Sequence, residues 1–264
     1  PLESKHISAD ARWMAHLDVD ALRESLLFRR ASPDLTRNSS EVRTYLTMLR
    51  KDWNLDALSD VHDITVFSLQ FKKDAGVAIV RARADQAVLL EQAEHKPNHV
   101  KTTYGNHELH GWTAPIGPNR KRDMSGASLS PDRLVCGFST DEVKAALDVL
   151  DGTKPNAAGK EPWAGRSIPR GTILLAGAAG FSDAALPKRW SMLKQADSFV
   201  LMAGENQGEV FVQGHLLLKQ SSAAQELKAL LDGVLAMAGT LQNGDADVIK
   251  LARAVKVTVA DKEV

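Results

Sequence analysis

The sequence predicts an α+β protein built from two tandem β-α-β-β-α-β units, with antiparallel sheets and helices packed on one face. Three observations predict it. Apolar positions switch along the chain between a period of two and helical spacing, as alternating strands and helices require. Residues 153–170 carry Pro155, Pro162, Pro169, Gly159 and Gly165, and read as a linker between two stretches of that pattern. The last segment, Val255-Lys-Val-Thr-Val-Ala-Asp-Lys-Glu-Val264, aligns without gaps to Val100-Lys-Thr-Thr-Tyr-Gly-Asn-His-Glu-Leu109, with 4 of 10 positions identical. Lying at the same point of a repeated order, the match supports tandem units. The expected division is 1–152, linker 153–170, and 171–264, the second unit incomplete at its C-terminal end.

Ala11 to Val19 alternates around Trp13, Ala15, Leu17 and Val19 and reads as a strand. Asp20 is then expected to cap a helix over Ala21 to Arg30, its carboxylate accepting a backbone N–H of the first turn. A polar loop leads to Asn38-Ser39-Ser40-Glu41, which resembles a capping box. Val42, Leu46, Leu49 and Trp53 give the helix after it one apolar face. Asp63 to Phe71 and Gly76 to Arg83 form a hairpin around residues 72–76. Asp85 to Glu94 is a short helix. His99 to Thr113 reads as two strands pivoting on Tyr104-Gly105-Asn106, Pro115 to Pro131 as a loop, and Arg133 to Phe138 as a strand. Ser139-Thr140-Asp141-Glu142 supplies a second capping box, and Val143, Ala146, Leu147 and Leu150 form a helical stripe. Gly152 sits where a left-handed cap is wanted.

In the second half, Gly171 to Gly177 is a strand and Phe181 to Gln195 is mostly helical. Asp197 to Ala203 and Glu209 to Leu218 form a hairpin, and Ser221 to Met237 is a helix with Leu227, Leu230, Leu231 and Leu235 on one side. The order of each unit is the ferredoxin-like one.

Composition narrows the function classes. The 264 residues hold 33 Lys plus Arg and 33 Asp plus Glu, so the net charge is zero and the basic footprint of a nucleic-acid binder is missing. The longest nearly unbroken apolar run, Thr172 to Phe181, is far short of the ~20 residues that span a bilayer. Cys136 is the one cysteine, so no intramolecular disulfide exists. The opening Pro1-Leu2-Glu3-Ser4 is what a processed or trimmed chain shows.

The candidate chemistry is sparse. His16, Asp18 and Asp20 lie at i, i+2 and i+4, a donor set suited to a divalent metal. The plainer reading makes Asp20 a cap, Asp18 a turn residue and His16 half exposed. Gly177, Gly180 and Ser182 belong to a strand-to-helix turn that can cradle an anion on free N–H groups. It lacks the Gly-Lys-Ser/Thr ending of a P-loop, so a purely structural turn is the simpler reading. His107 and His110 fail the zinc-protease pattern, because their spacing on a strand sends them to opposite faces. Cys136 in an apolar run behaves as a small hydrophobe. No serine occupies a nucleophile-elbow context, and no motif names a cofactor.

Ala11-Arg-Trp-Met-Ala-His-Leu-Asp-Val-Asp-Ala-Leu-Arg-Glu-Ser25 resembles the start of an uncharacterised family of exported bacterial proteins. Glu142 to Gly152 and Ala203 to Leu231 resemble the same family. The resemblance implies two related α+β halves, signal removal and a periplasmic, secreted or lipid-anchored location. It implies no activity.

The function expected from the sequence is non-enzymatic binding or scaffolding outside the cytoplasm, toward an unidentified protein or small molecule, without nucleic acid, cofactor or transmembrane segment. The alternative is a hydrolase, or a small-ligand or metal-binding protein, with a site assembled from residues such as His16, Asp18, His107 and His110.

Overall fold

The computed structural model describes residues 2–30, 39–72, 75–117, 120–130, 132–160, 162–163, 166–182, 193–239 and 254–264. Among them, ten strands form one sheet: β1 (Trp13–Asp18), β2 (Val61–Ser68), β3 (Val77–Ala82), β4 (Val100–Tyr104), β5 (His107–Gly117), β6 (Arg120–Ser130), β7 (Arg133–Gly137), β8 (Thr172–Ala179), β9 (Ala196–Asn206) and β10 (Glu209–Leu218). Their order is β10-β9-β8-β1-β2-β3-β7-β6-β5-β4, and the pairings from β1 to β4 are antiparallel. The helices are a 3-10 turn at Ser4–His6, α1 (Val19–Glu24), α2 (Ser40–Trp53), α3 (Gln86–Glu94), α4 (Thr140–Leu150) and α5 (Ser221–Gly239).

This architecture overturns the two tandem ferredoxin-like units. One continuous sheet replaces two, because β8 from the second half lies beside β1; β6 is a further strand, where residues 115–131 read as a loop. Its Asp, Ser and Gly have low β propensity, yet β5 on one side and β7 on the other complete its ladder. Helices also cover both sheet faces. Positions such as Phe67, Val77 and Val135 point to the face under α4, whose Val143, Ala146 and Leu147 are fully buried. Each Val, Leu or Phe side chain among them contributes about 1.5–3 kcal/mol when taken out of water. Val80, Leu134 and Cys136 point the other way, toward α2 and α3.

The chain divides into two compact units, residues 1–177 with 201–213, and residues 178–200 with 214–264. In the second unit, α5 follows β10, and the C-terminal residues, read as a strand over 255–264, make only isolated bridges. Leu216 and Val264 exchange backbone hydrogen bonds of 2.9 and 3.0 Å there. The helix expected over 181–195 falls largely on residues 183–192, outside the described ones.

Two caps differ from expectation. Asp18, two residues before Asp20, caps α1 by accepting from the Ala21 N–H at 2.9 Å. Ser139 makes no side-chain cap on α4. Glu142, read as its capping-box partner, instead faces the core, accepting from the Ser68 hydroxyl at 2.7 Å and the Gly76 N–H at 2.6 Å. Gly152 does adopt the left-handed φ of +74° after α4.

Candidate functional site

A cavity of the first unit lies between α2, α3 and the sheet. Helical spacing brings Leu49 and Trp53 of α2 and Leu89 and Ala93 of α3 onto it. Strand alternation supplies the floor: His110, Trp112 and Ala114 from β5, Met124, Gly126 and Ser128 from β6, and Leu134 and Cys136 from β7. The cavity holds about 260 Å³. An apolar cavity of about 150 Å³ already takes up benzene, so this one has room for a larger guest.

Its wall is almost wholly apolar, with two polar exceptions that lack partners. Trp112 is 7% exposed and buries its Nε1–H with no acceptor, and the Ser128 hydroxyl is buried without a partner. Buried donors are nearly always satisfied, because an unmade hydrogen bond costs about 1–3 kcal/mol. The Trp112 ring is fixed by Trp53, whose centroid lies 5.4 Å away at an interplanar angle of 59°. Cys136 on the same wall has its thiol pushed up to about 11 by burial, which keeps it protonated and inert.

One side of the cavity is polar and fully satisfied. His110, 2% exposed, brings Nε2 to 3.0 Å from Glu108 Oε1, and its Nδ1 lies 3.0 Å from His99 Nε2. A carboxylate only accepts, so His110 donates from Nε2 and receives at Nδ1 from His99, which assigns both tautomers. Lys101 Nζ at 2.7 Å from Glu108 completes the chain. The Lys101 hydrogen bond is the main reason the Glu108 carboxyl sits below the usual carboxylate range, with His110 adding to it.

The residues singled out from the sequence are dispersed. His16 and Asp18 share one face of β1, while Asp20 belongs to α1. His16 is 5% exposed, with Nδ1 2.9 Å from Thr65 Oγ1 and Nε2 buried without a partner. Burial holds its imidazole below the usual histidine range. Asp18 caps α1, and Asp20 pairs with Arg23 and His62. Among the described residues, no three His, Cys, Asp or Glu side chains gather as a metal group. His107 meets Asp151 at 2.8 Å on the α4 face, opposite His110, as strand alternation predicts.

Gly177 is a buried β8 residue, Gly180 has φ +70°, and Ser182 is exposed. The Gly180 N–H donates to the Asp197 carbonyl at 3.1 Å, so it is already engaged. Trp112 and Ser128 carried no sequence signal of a site. Both lie in strand stretches where a cavity depends on which helices arrive above them.

No family model matches this chain, and no curated protein matches it. Among solved structures, crystal form III of TP0453 is similar, with a TM-score of 0.51 at 10% identity over 89% of this chain and 88% of that one. Crystal form IV of TP0453 gives 0.48 at 11% identity, over 95% and 94%. The first of these is a likeness of fold. No described helix is long and apolar enough to cross a membrane.

Proposed function

We propose that this protein binds a small, largely apolar molecule carrying one hydrogen-bond acceptor, held between α2, α3 and the sheet. The observation that carries the reading is the unpartnered Trp112 Nε1–H in the wall of a mainly apolar cavity. An indole N–H can only donate, so the guest that satisfies it presents a carbonyl, ester, ether or hydroxyl oxygen. The apolar remainder replaces water on Leu49, Leu89, Met124 and Leu134. The reading extends to an extracytoplasmic setting, supported by the resemblance of residues 11–25, 142–152 and 203–231 to exported bacterial proteins.

The test is a tryptophan-fluorescence titration of the full chain with 2-decanone, and in parallel with decane, which lacks the acceptor. A hydrogen bond of about 0.5–1.5 kcal/mol makes the ketone bind roughly 2- to 12-fold tighter. Trp112→Phe removes that preference and leaves decane binding nearly unchanged. Absence of saturable binding by either compound contradicts the reading.

A further inference from the structure

A second cleft, of about 570 Å³, gathers Arg23, Ser59, His62 and Arg83 at the polar end of β2. Its centre is a β-bulge. Val61 pairs with Ala82 and Asp63 with Arg81, so His62 is the extra residue, without a partner on β3. Bulges of this kind re-aim a side chain and recur beside functional sites. The re-aimed imidazole places Nδ1 2.9 Å from Asp20 Oδ2 and 3.2 Å from Oδ1.

Asp20 is itself oriented. Arg23 pairs with it, and Arg23 Nη1 is anchored on the carbonyls of Leu58 at 2.7 Å and Ser59 at 2.9 Å. Since the carboxylate only accepts, His62 carries its proton on Nδ1 and keeps a lone pair on Nε2. That nitrogen has no partner among the described residues. Neither has the guanidinium of Arg83, an exposed residue on the same cleft. The charged groups facing His62 are Asp20, Arg23 and Glu24 from α1, Asp63 from β2, and Arg81 and Arg83 from the β3 side. Asp20 with Arg23 and Asp63 with Arg81 cancel as pairs, leaving Arg83 and the exposed Glu24.

We propose that this cleft binds a phosphoryl group, with Arg83 taking its anionic oxygens and His62 Nε2 sharing its acidic proton. The chemistry selects phosphate among simple anions. One forked donor beside one acceptor fits an anion that also bears an O–H, and a phosphate whose second pKa is near 6 carries one. Neutral imidazole with the monoanion, and imidazolium with the dianion, contain the same protons, so either pair satisfies the site. Carboxylate and sulfate bring no such proton near neutral pH, so they engage His62 only after its imidazole takes one up from solvent, which desolvation of the ring disfavours. Binding therefore weakens as pH rises and that shared proton is lost.

The experiment follows the His62 imidazole resonances of the full chain by long-range ¹H–¹⁵N NMR. Inorganic phosphate, glycerol 3-phosphate, sulfate, and phosphatidylcholine vesicles with or without phosphatidic acid are the additions, at about pH 6 and about pH 8. Expected are saturable shifts with at least one phosphoryl compound, weaker at the higher pH and weaker still with sulfate. A response confined to the phosphatidic acid vesicles assigns a lipid headgroup; one to the soluble compounds assigns a free phosphate or monoester. Arg83→Gln, an exposed change, weakens binding about tenfold or more, and Glu24→Gln strengthens it. Silence of His62 toward every phosphoryl compound, or unchanged binding in folded Arg83→Gln, overturns the proposal.

Discussion

Trp112 on β5 lies against the bare backbone of Gly126 on β6: a Cβ at Gly126 would stand 3.1 Å from the indole Cη2 and 3.1 Å from the Val135 carbonyl oxygen. The close approach lets the ring lie along the cavity floor beside Trp53. Glycine is required there for space, and its absence of a side chain sets where the Nε1–H is buried.

Gly126→Ala is expected to destabilise the fold by about 1–3 kcal/mol, the usual cost of overpacking, since the Val135 backbone cannot retreat as a flexible side chain would. Urea unfolding measures the loss. The same variant displaces the Trp112 ring and weakens 2-decanone binding in the folded protein.

Cys136 is expected to resist Ellman's reagent in the native state. Cys136 is half-buried on the cavity wall and desolvation holds its thiol at about 11, so thiolate is scarce and labelling is slow. Labelling measured against urea should track unfolding, and 2-decanone should slow it at fixed urea. Rapid stoichiometric labelling of the folded chain contradicts the burial.

Stability is expected to fall as pH drops below about 6.5. Desolvation lowers the imidazoles of His16, His6 and His62 from the ordinary value of 6.5, so the unfolded chain binds their protons first. Each imidazole therefore has no effect above the unfolded pKa and costs stability progressively between the unfolded and folded values. Thermal midpoints across this range check it, and His16→Gln flattens the profile because His16 is the most deeply buried of the three.

Glu142→Ala is expected to cost about 2–4 kcal/mol, because the Ser68 hydroxyl and Gly76 N–H lose a charged acceptor inside the core. Differential scanning calorimetry reads the drop. A change within the scatter typical of a surface position contradicts the assignment of Glu142 as the tie between α4 and the β2–β3 connection.

Local order was largely legible in the sequence. The stripe of Val143, Ala146 and Leu147, the Tyr104-Gly105-Asn106 turn and the left-handed Gly152 follow from periodicity and backbone chemistry, and the structure contains them. The sheet was not legible, because β6 is poor in strand formers and is held by neighbours on both sides. The neighbourhood of β8 and β1, strands far apart in the chain, left no local signal, so one sheet read as two units. Glu142 looked like a capping residue from spacing alone, and only the arrival of Ser68 and Gly76 gives it a core role. The cavity and the His62 bulge are products of tertiary packing and register, so Trp112, Ser128 and His62 passed as ordinary strand residues.

The most direct measurement of the central claim is the Trp112 indole Nε1–H resonance in a ¹H–¹⁵N spectrum of the full chain, assigned by its loss in Trp112→Phe. Adding 2-decanone is expected to move that resonance downfield in a saturable way, as a new acceptor engages the proton, while decane leaves it nearly in place. A resonance that stays fixed through saturating ketone, or moves equally with decane, contradicts a hydrogen-bonding guest in this cavity.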